Sequence, residues 1–197
     1  GVSRGNDVET FNVQTGDIIQ TVEEIGYVQA TTESGLYAPL AASVAQLNFE
    51  AGQMIKAGQT VAVLKNLELK VQMSEVESNL SQVEATSRAL TSGLRLAEME
   101  LKNAQDKLER VKILFDSGAV SRTELEETQL LVESAQARTE EQQLQLQAVS
   151  AQIEGLEETL EHLAESANEL VLKSPVDGVV LSLPVKVGQV VAPGTLV

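Results

Sequence analysis

The sequence predicts an α+β protein: a small β-sandwich encoded as two separated halves, with a long antiparallel two-helix coiled-coil hairpin inserted between them. Three observations carry this prediction. Residues 38–61, APLAASVAQLNFEAGQMIKAGQTV, recur in degenerate form 136 positions later as residues 174–197, SPVDGVVLSLPVKVGQVVAPGTLV. The segment between the copies holds two long runs of apolar residues at heptad spacing. One short break, DSGAVS, separates those runs.

Within the repeat, Pro39 and Pro175, Val44 and Val180, Leu47 and Leu183, Gly52 and Gly188, Gln53 and Gln189, Gly58 and Gly194, and Val61 and Val197 coincide without a gap. Each copy reads as short Val-rich strands punctuated by glycine turns. In the second copy the expected order is a strand VVLSLPV, a turn at Lys186, Val187 and Gly188, a strand QVV, and a turn at Ala192, Pro193 and Gly194. One copy is too small to enclose a core, so the two are expected to pair. Ahead of them, Val8 to Ala30 alternates apolar and polar residues around Thr15, Gly16 and Asp17, which reads as two strands joined by a turn and without an obvious local partner.

From about Asn66 to Leu170 the period changes. Alternate steps of four and three from Leu69 reach Met73, Val76 and Leu80, and continue to Leu108, Val111 and Phe115; Ser87 is the one polar member. A second run goes from Leu125 through Thr128, Val132 and Ala135 to Leu163, Ala167 and Leu170. A seam sustained over about seven heptads in each arm exceeds what an ordinary amphipathic helix shows. The polar positions Ser87, Thr139 and Gln142 read either as register-setting residues or as a zone where the coil bends, and the pattern alone does not choose.

No proline lies between Pro39 and Pro175, so nothing breaks the arms covalently. At the break, Gly118 suits the left-handed conformation that closes a helix, and Ser121 with Glu124 forms the S-x-x-E capping box that opens the next. Val120 and Leu125 fit the accompanying hydrophobic staple. A turn this short makes the arms antiparallel, with Phe115 opposite Leu125 and Leu101 opposite Thr139. At 1.5 Å per residue each arm reaches about 70 Å.

Composition narrows the function. A net charge of −15 with only 14 Lys and Arg excludes a nucleic-acid partner, which would need clustered cations. No apolar run approaches the roughly 20 residues needed to cross a bilayer, and GVSRGNDVET is no signal peptide, so any anchor or export signal is expected to have been removed or never present. With no cysteine there are no disulfides, thiolate metal sites or lipidated N-terminal cysteine. His162 is the single histidine and flanks the seam, which leaves no metal pair and no base for a nucleophilic serine. The glutamate pairs at 126/127, 140/141 and 157/158 lie off the seam as solvated faces, and Gly155 sits in the second arm with no motif around it. The chain is expected to be no enzyme and to hold no cofactor or metal.

A motif repeated once, with its halves separated by a helical hairpin, resembles the membrane fusion proteins (HlyD-like), the periplasmic adaptor subunits of tripartite exporters. The resemblance covers nearly the whole chain and is most specific at RVKILFDSGAVSRTELEETQ. Here Arg110, Leu114 and Ser121 match the spacing that the TolC-docking members of the family carry at their hairpin tips. It implies a split lipoyl-like domain over residues 30–65 and 171–197, a coiled-coil hairpin over 66–170 with its tip at 116–121, and partial β-barrel or membrane-proximal strands over 1–29. Because the family has further domains after the second half-motif, the chain is expected to be a fragment. The implied partners are a TolC-like outer-membrane channel, docked through Arg110, Leu114 and Ser121 beside the turn residues Gly118 and Glu124, an inner-membrane transporter, and further copies in a ring of six. The implied location is the periplasm, anchored to the inner membrane.

Hairpin length resembles that of the ABC-type macrolide exporters more than that of proton-driven drug-efflux adaptors; an adaptor from a one-membrane organism is the remaining alternative within the family. True lipoyl or biotinyl carriers share the half-motif but need a modifiable lysine on the turn joining the halves. The coiled coil occupies that junction, and Lys65 and Lys173 merely flank it. A purely structural coiled coil would not need the split motif.

Overall fold

The computed structural model describes residues 12–15 and 32–197. The chain divides into two compact units: residues 1–73 with 162–197, and residues 74–161.

The first unit is a two-sheet sandwich. Its strands are β1 (Asn12–Thr15), β2 (Thr32–Gly35), β3 (Ala42–Leu47), β4 (Met54–Ile55), β5 (Thr60–Lys65), β6 (Val171–Lys173), β7 (Gly178–Val180) and β8 (Val190–Val191). One sheet has the order β2-β1-β7-β4 and the other β6-β5-β3-β8, all pairs being antiparallel. Each sheet therefore mixes strands from both copies of the repeat. The equivalent residues do equivalent work: Val44 and Val180 are buried, as are Val61 and Val197. Val44, Ala62, Leu64, Leu172 and Val191 belong to one apolar cluster, and Ile55, Val61, Val180 and Leu196 form a second.

Backbone hydrogen bonds repeat the same exchange. Gly52 N–H donates to the Val180 carbonyl at 2.6 Å and Gly188 N–H to the Val44 carbonyl at 2.7 Å. Gly58 donates to Ser174 at 2.7 Å and Gly194 to Ala38 at 2.8 Å. All four glycines have positive φ, between 79° and 92°, which is why glycine recurs at these turns. The side-chain carbonyl of Gln53 accepts from Glu50 N–H at 2.8 Å, and that of Gln189 from Lys186 N–H at 3.1 Å, so the repeated glutamines brace the repeated turns.

Two expectations need correction or restriction. The strand expected over VVLSLPV stops at Val180, whereas its counterpart β3 runs through Leu47. Pro184 has no N–H to donate to a ladder, and the segment after Val180 runs irregularly. Of the strands expected in Val8–Ala30, only Asn12–Thr15 lies among the described residues; it pairs with β2 (Val13 with Ser34) and with β7 (Val13 with Val180). The rest of that segment lies outside them.

The helices are α1 (Leu67–Asp116) and α2 (Arg122–Glu169), of 50 and 48 residues. Asn66 caps α1: its Oδ1 accepts from Leu69 N–H at 2.8 Å while its Nδ2 donates to the Ala41 carbonyl at 2.7 Å. In both arms every heptad position from Leu69 to Phe115 and from Leu125 to Leu170 is buried or half-buried, and nearly all other helical positions are exposed. The heptad reading of the sequence holds along its full length. Arg138 and Glu100, flanking positions of the two arms, meet at 3.2 Å as antiparallel pairing requires, in an exposed contact worth no more than about 1 kcal/mol.

The two buried threonines of the seam are accommodated locally. Thr128 and Thr139 are buried, and their hydroxyls donate to the Glu124 and Ala135 carbonyls of their own helix at 2.8 and 2.9 Å. No partner from the opposite arm is needed, so these threonines do not dictate which residue faces them.

Candidate functional site

The hairpin turn gathers the residues singled out in the sequence. Helix α1 ends in a Schellman motif around Gly118, whose φ is 78°. Gly118 N–H donates to the Phe115 carbonyl at 2.9 Å and Ala119 N–H to the Leu114 carbonyl at 2.8 Å, the two bonds that define this closure. The Ser117 hydroxyl adds a bond to the same Leu114 carbonyl at 2.8 Å. Leu114 is thus held by its main chain, doubly anchored in the turn, while its side chain remains 44% exposed.

Ser121 opens α2. Its Oγ accepts from Glu124 N–H at 3.1 Å, which is the forward half of the expected capping box. The reciprocal bond from the Ser121 N–H to the Glu124 carboxylate is not made among the described residues. Val120 and Leu125, the staple pair, are each half-buried.

Arg110 and Leu114 lie one helical turn apart on α1 and share one side of it; Phe115 supplies the seam contact that would otherwise fall to Leu114. Arg110 is exposed and makes no ion pair among the described residues, so neither Asp106 nor Glu109 ties it down. A free guanidinium beside an exposed leucine, next to a turn closed by backbone hydrogen bonds, can offer a charged hydrogen-bond donor and an apolar contact to a partner surface. The sequence reading overlooked Ile113, which at 64% is more exposed than Leu114. Its signal was available: an isoleucine midway between seam residues Val111 and Phe115 must face outward.

Among the described residues no group of three or more His, Asp or Glu side chains could hold a metal ion, and no helix is long and apolar enough to cross a membrane. His162 is exposed. Lys65 closes β5 and Lys173 closes β6, both at strand ends where helix and sandwich sequences meet.

Among solved structures, the chain matches MacA from Actinobacillus actinomycetemcomitans at 18% identity, over 95% of its own length and 50% of that chain, with a TM-score of 0.55. The chain has the MacA fold. It spans half the length of that structure. Other matches are the periplasmic adaptor protein EmrA, at 17% identity over 83% of this chain and 70% of that one with a TM-score of 0.43, and the soluble domain of LipC, a membrane fusion protein of a type I secretion system, at 13% identity over 83% and 97% with a TM-score of 0.47. No protein-family model and no curated protein matches the sequence. The MacA fold accounts for the arrangement seen here, antiparallel sheets together with a long helical hairpin, and at this identity it speaks for architecture alone.

Proposed function

We propose that the chain is a periplasmic adaptor that links an inner-membrane transporter to a TolC-like outer-membrane channel in efflux or export. The observation that carries this reading is the turn itself: Leu114 is held in the closure by its main chain with its side chain exposed, and Arg110, one helical turn before it on α1, is exposed and makes no ion pair among the described residues. Arg110 and Leu114 are assigned the contact with the channel, and Ser121 a share of it beyond its capping bond, with Gly118 and Glu124 shaping the turn. An ATP-driven partner is preferred to a proton-driven one because helices of 50 and 48 residues resemble the long hairpins of the ABC-type group. The adaptor is assigned to the periplasm, tethered to the inner membrane, and assembles as a ring of six.

The test is substitution at the turn. Leu114→Ser and Arg110→Asp are expected to abolish export and crosslinking to the channel while circular dichroism shows unchanged helix content. Export at the wild-type level in either variant would remove the docking assignment.

A further inference from the structure

In each arm of the hairpin, the residue just before a seam residue lies on one flank of the helix and the residue just after it lies on the other. Glu100 precedes the seam residue Leu101 and Arg138 precedes Thr139, so the ion pair between them, at 3.2 Å, shows that the two preceding flanks share one side of the hairpin. Arg110 and Leu114, which precede Val111 and Phe115, lie on that side. So do Lys107 and Leu131, which precede Leu108 and Val132. Lys107 comes seven residues after Glu100 and Leu131 seven before Arg138, and the repeat therefore sets them abreast across the seam.

This side differs from the opposite one. Over the same stretch the residues that follow the seam are Gln105, Glu109 and Lys112 on α1 and Glu126, Gln129 and Glu133 on α2, every one polar and exposed. On the Arg110 side, Leu114 and Leu131 are 44% and 50% exposed, and Lys107 and Arg110 are exposed and form no ion pair among the described residues. A leucine on a flank shields the seam, yet half of Leu131 stays in solvent. Glu124 and Glu127 also precede seam residues, so on α2 the carboxylates stand nearer the turn than Leu131 does. Along the axis, Lys107 is level with Leu131, Leu114 lies seven residues or about 10 Å nearer the turn, and Arg110 falls between.

We propose that the channel contact spans both helices: Leu131 of α2 is a second apolar contact beside Leu114, and Lys107 together with Arg110 receives a carboxylate of the channel between them. The occupant is the end of the outer-membrane channel, presenting an apolar surface with an acidic side chain, because two unpaired cations bracketed by two exposed leucines complement that chemistry. The channel then lies against one flank of the hairpin, the one that carries leucine, and not against the wholly polar one. This rests on the docking reading and extends it from α1 and the turn onto α2.

The chain has no cysteine, so one introduced thiol places one label. Leu131→Cys, labelled with benzophenone maleimide and illuminated with the purified TolC-like channel of its host, is expected to give a channel adduct. Gln129→Cys, labelled in the same way on the opposite flank of α2, is expected to give severalfold less. In cells, Leu131→Asp and Lys107→Glu are each expected to lower export severalfold, while Lys102→Glu, the same charge reversal on the opposite flank of α1, leaves it at the parent level. Circular dichroism of Leu131→Asp is expected to match that of the parent; were helix lost, the labelled Leu131→Cys protein, which keeps an apolar group at the site, carries the test. Equal adducts from the two flanks, parental export in Leu131→Asp or Lys107→Glu, or an equal loss in Lys102→Glu overturns the proposal. An adduct from labelled Leu114→Cys without one from Leu131→Cys removes the second contact and leaves the docking assignment standing. Absence of both adducts removes both.

Discussion

Three glycines in the helical hairpin answer to different physics. At Gly118, φ of 78° puts the backbone where an L side chain is strained, so Gly118→Ala is expected to cost about 1–2 kcal/mol and lower the thermal midpoint followed by circular dichroism. At Gly155 nothing lies within 4 Å of where a Cβ would stand and φ is helical, so Gly155→Ala should raise that midpoint through a stability gain of up to about 1 kcal/mol from helix propensity. Gly93 is intermediate: an added Cβ would come 3.1 Å from Gln142 Oε1, the movable end of a side chain from the other arm, and the propensity gain is partly offset. Gly118 could be read from the sequence because its role is local. Gly93 could not, because the atom that crowds it arrives from a residue brought near only by folding. Arg110 and Leu114 show the same divide: their shared side of α1 followed from spacing, but that Asp106 and Glu109 leave the guanidinium unpaired had to be seen.

At the scale of elements, the start of α2 separates two roles of Ser121. Its Oγ bond to Glu124 N–H caps the helix, and Ser121→Ala is expected to cost about 1 kcal/mol. Ser121→Asp keeps a capping oxygen and should hold the melting temperature near that of the parent. If Ser121→Asp also exports normally, capping is the whole of its role; loss of export at unchanged stability assigns the hydroxyl to the channel contact. The helices were the most legible elements, since a seam of period 3.5 buries whatever lies on it, and each position from Leu69 to Phe115 and from Leu125 to Leu170 obeys. The strands were less so. Valine and leucine around Leu181 and Leu183 favour extended chain, yet the ladder stops at Val180, because β-propensity expresses fit to neighbours the sequence does not name.

At the scale of the molecule, the repeat showed that the two copies belong together but not how strands are shared between sheets. That sharing depends on which register lets Gly52 reach Val180 and Gly188 reach Val44, a long-range choice invisible in either copy. The sandwich has its own apolar clusters, so replacing residues 74–161 by a short Gly-Ser turn is expected to leave it folded, with dispersed amide resonances. A collapsed spectrum would mean that the helical unit is required for the sandwich. The reciprocal glycine bonds have one more consequence. Each half completes its twin, and neither closes on itself. A gene encoding a single half would therefore give a peptide that finds its missing edges only in another molecule like itself, at the mercy of dilution. Joining both on one polypeptide removes that dependence, whatever length of chain is spliced between them.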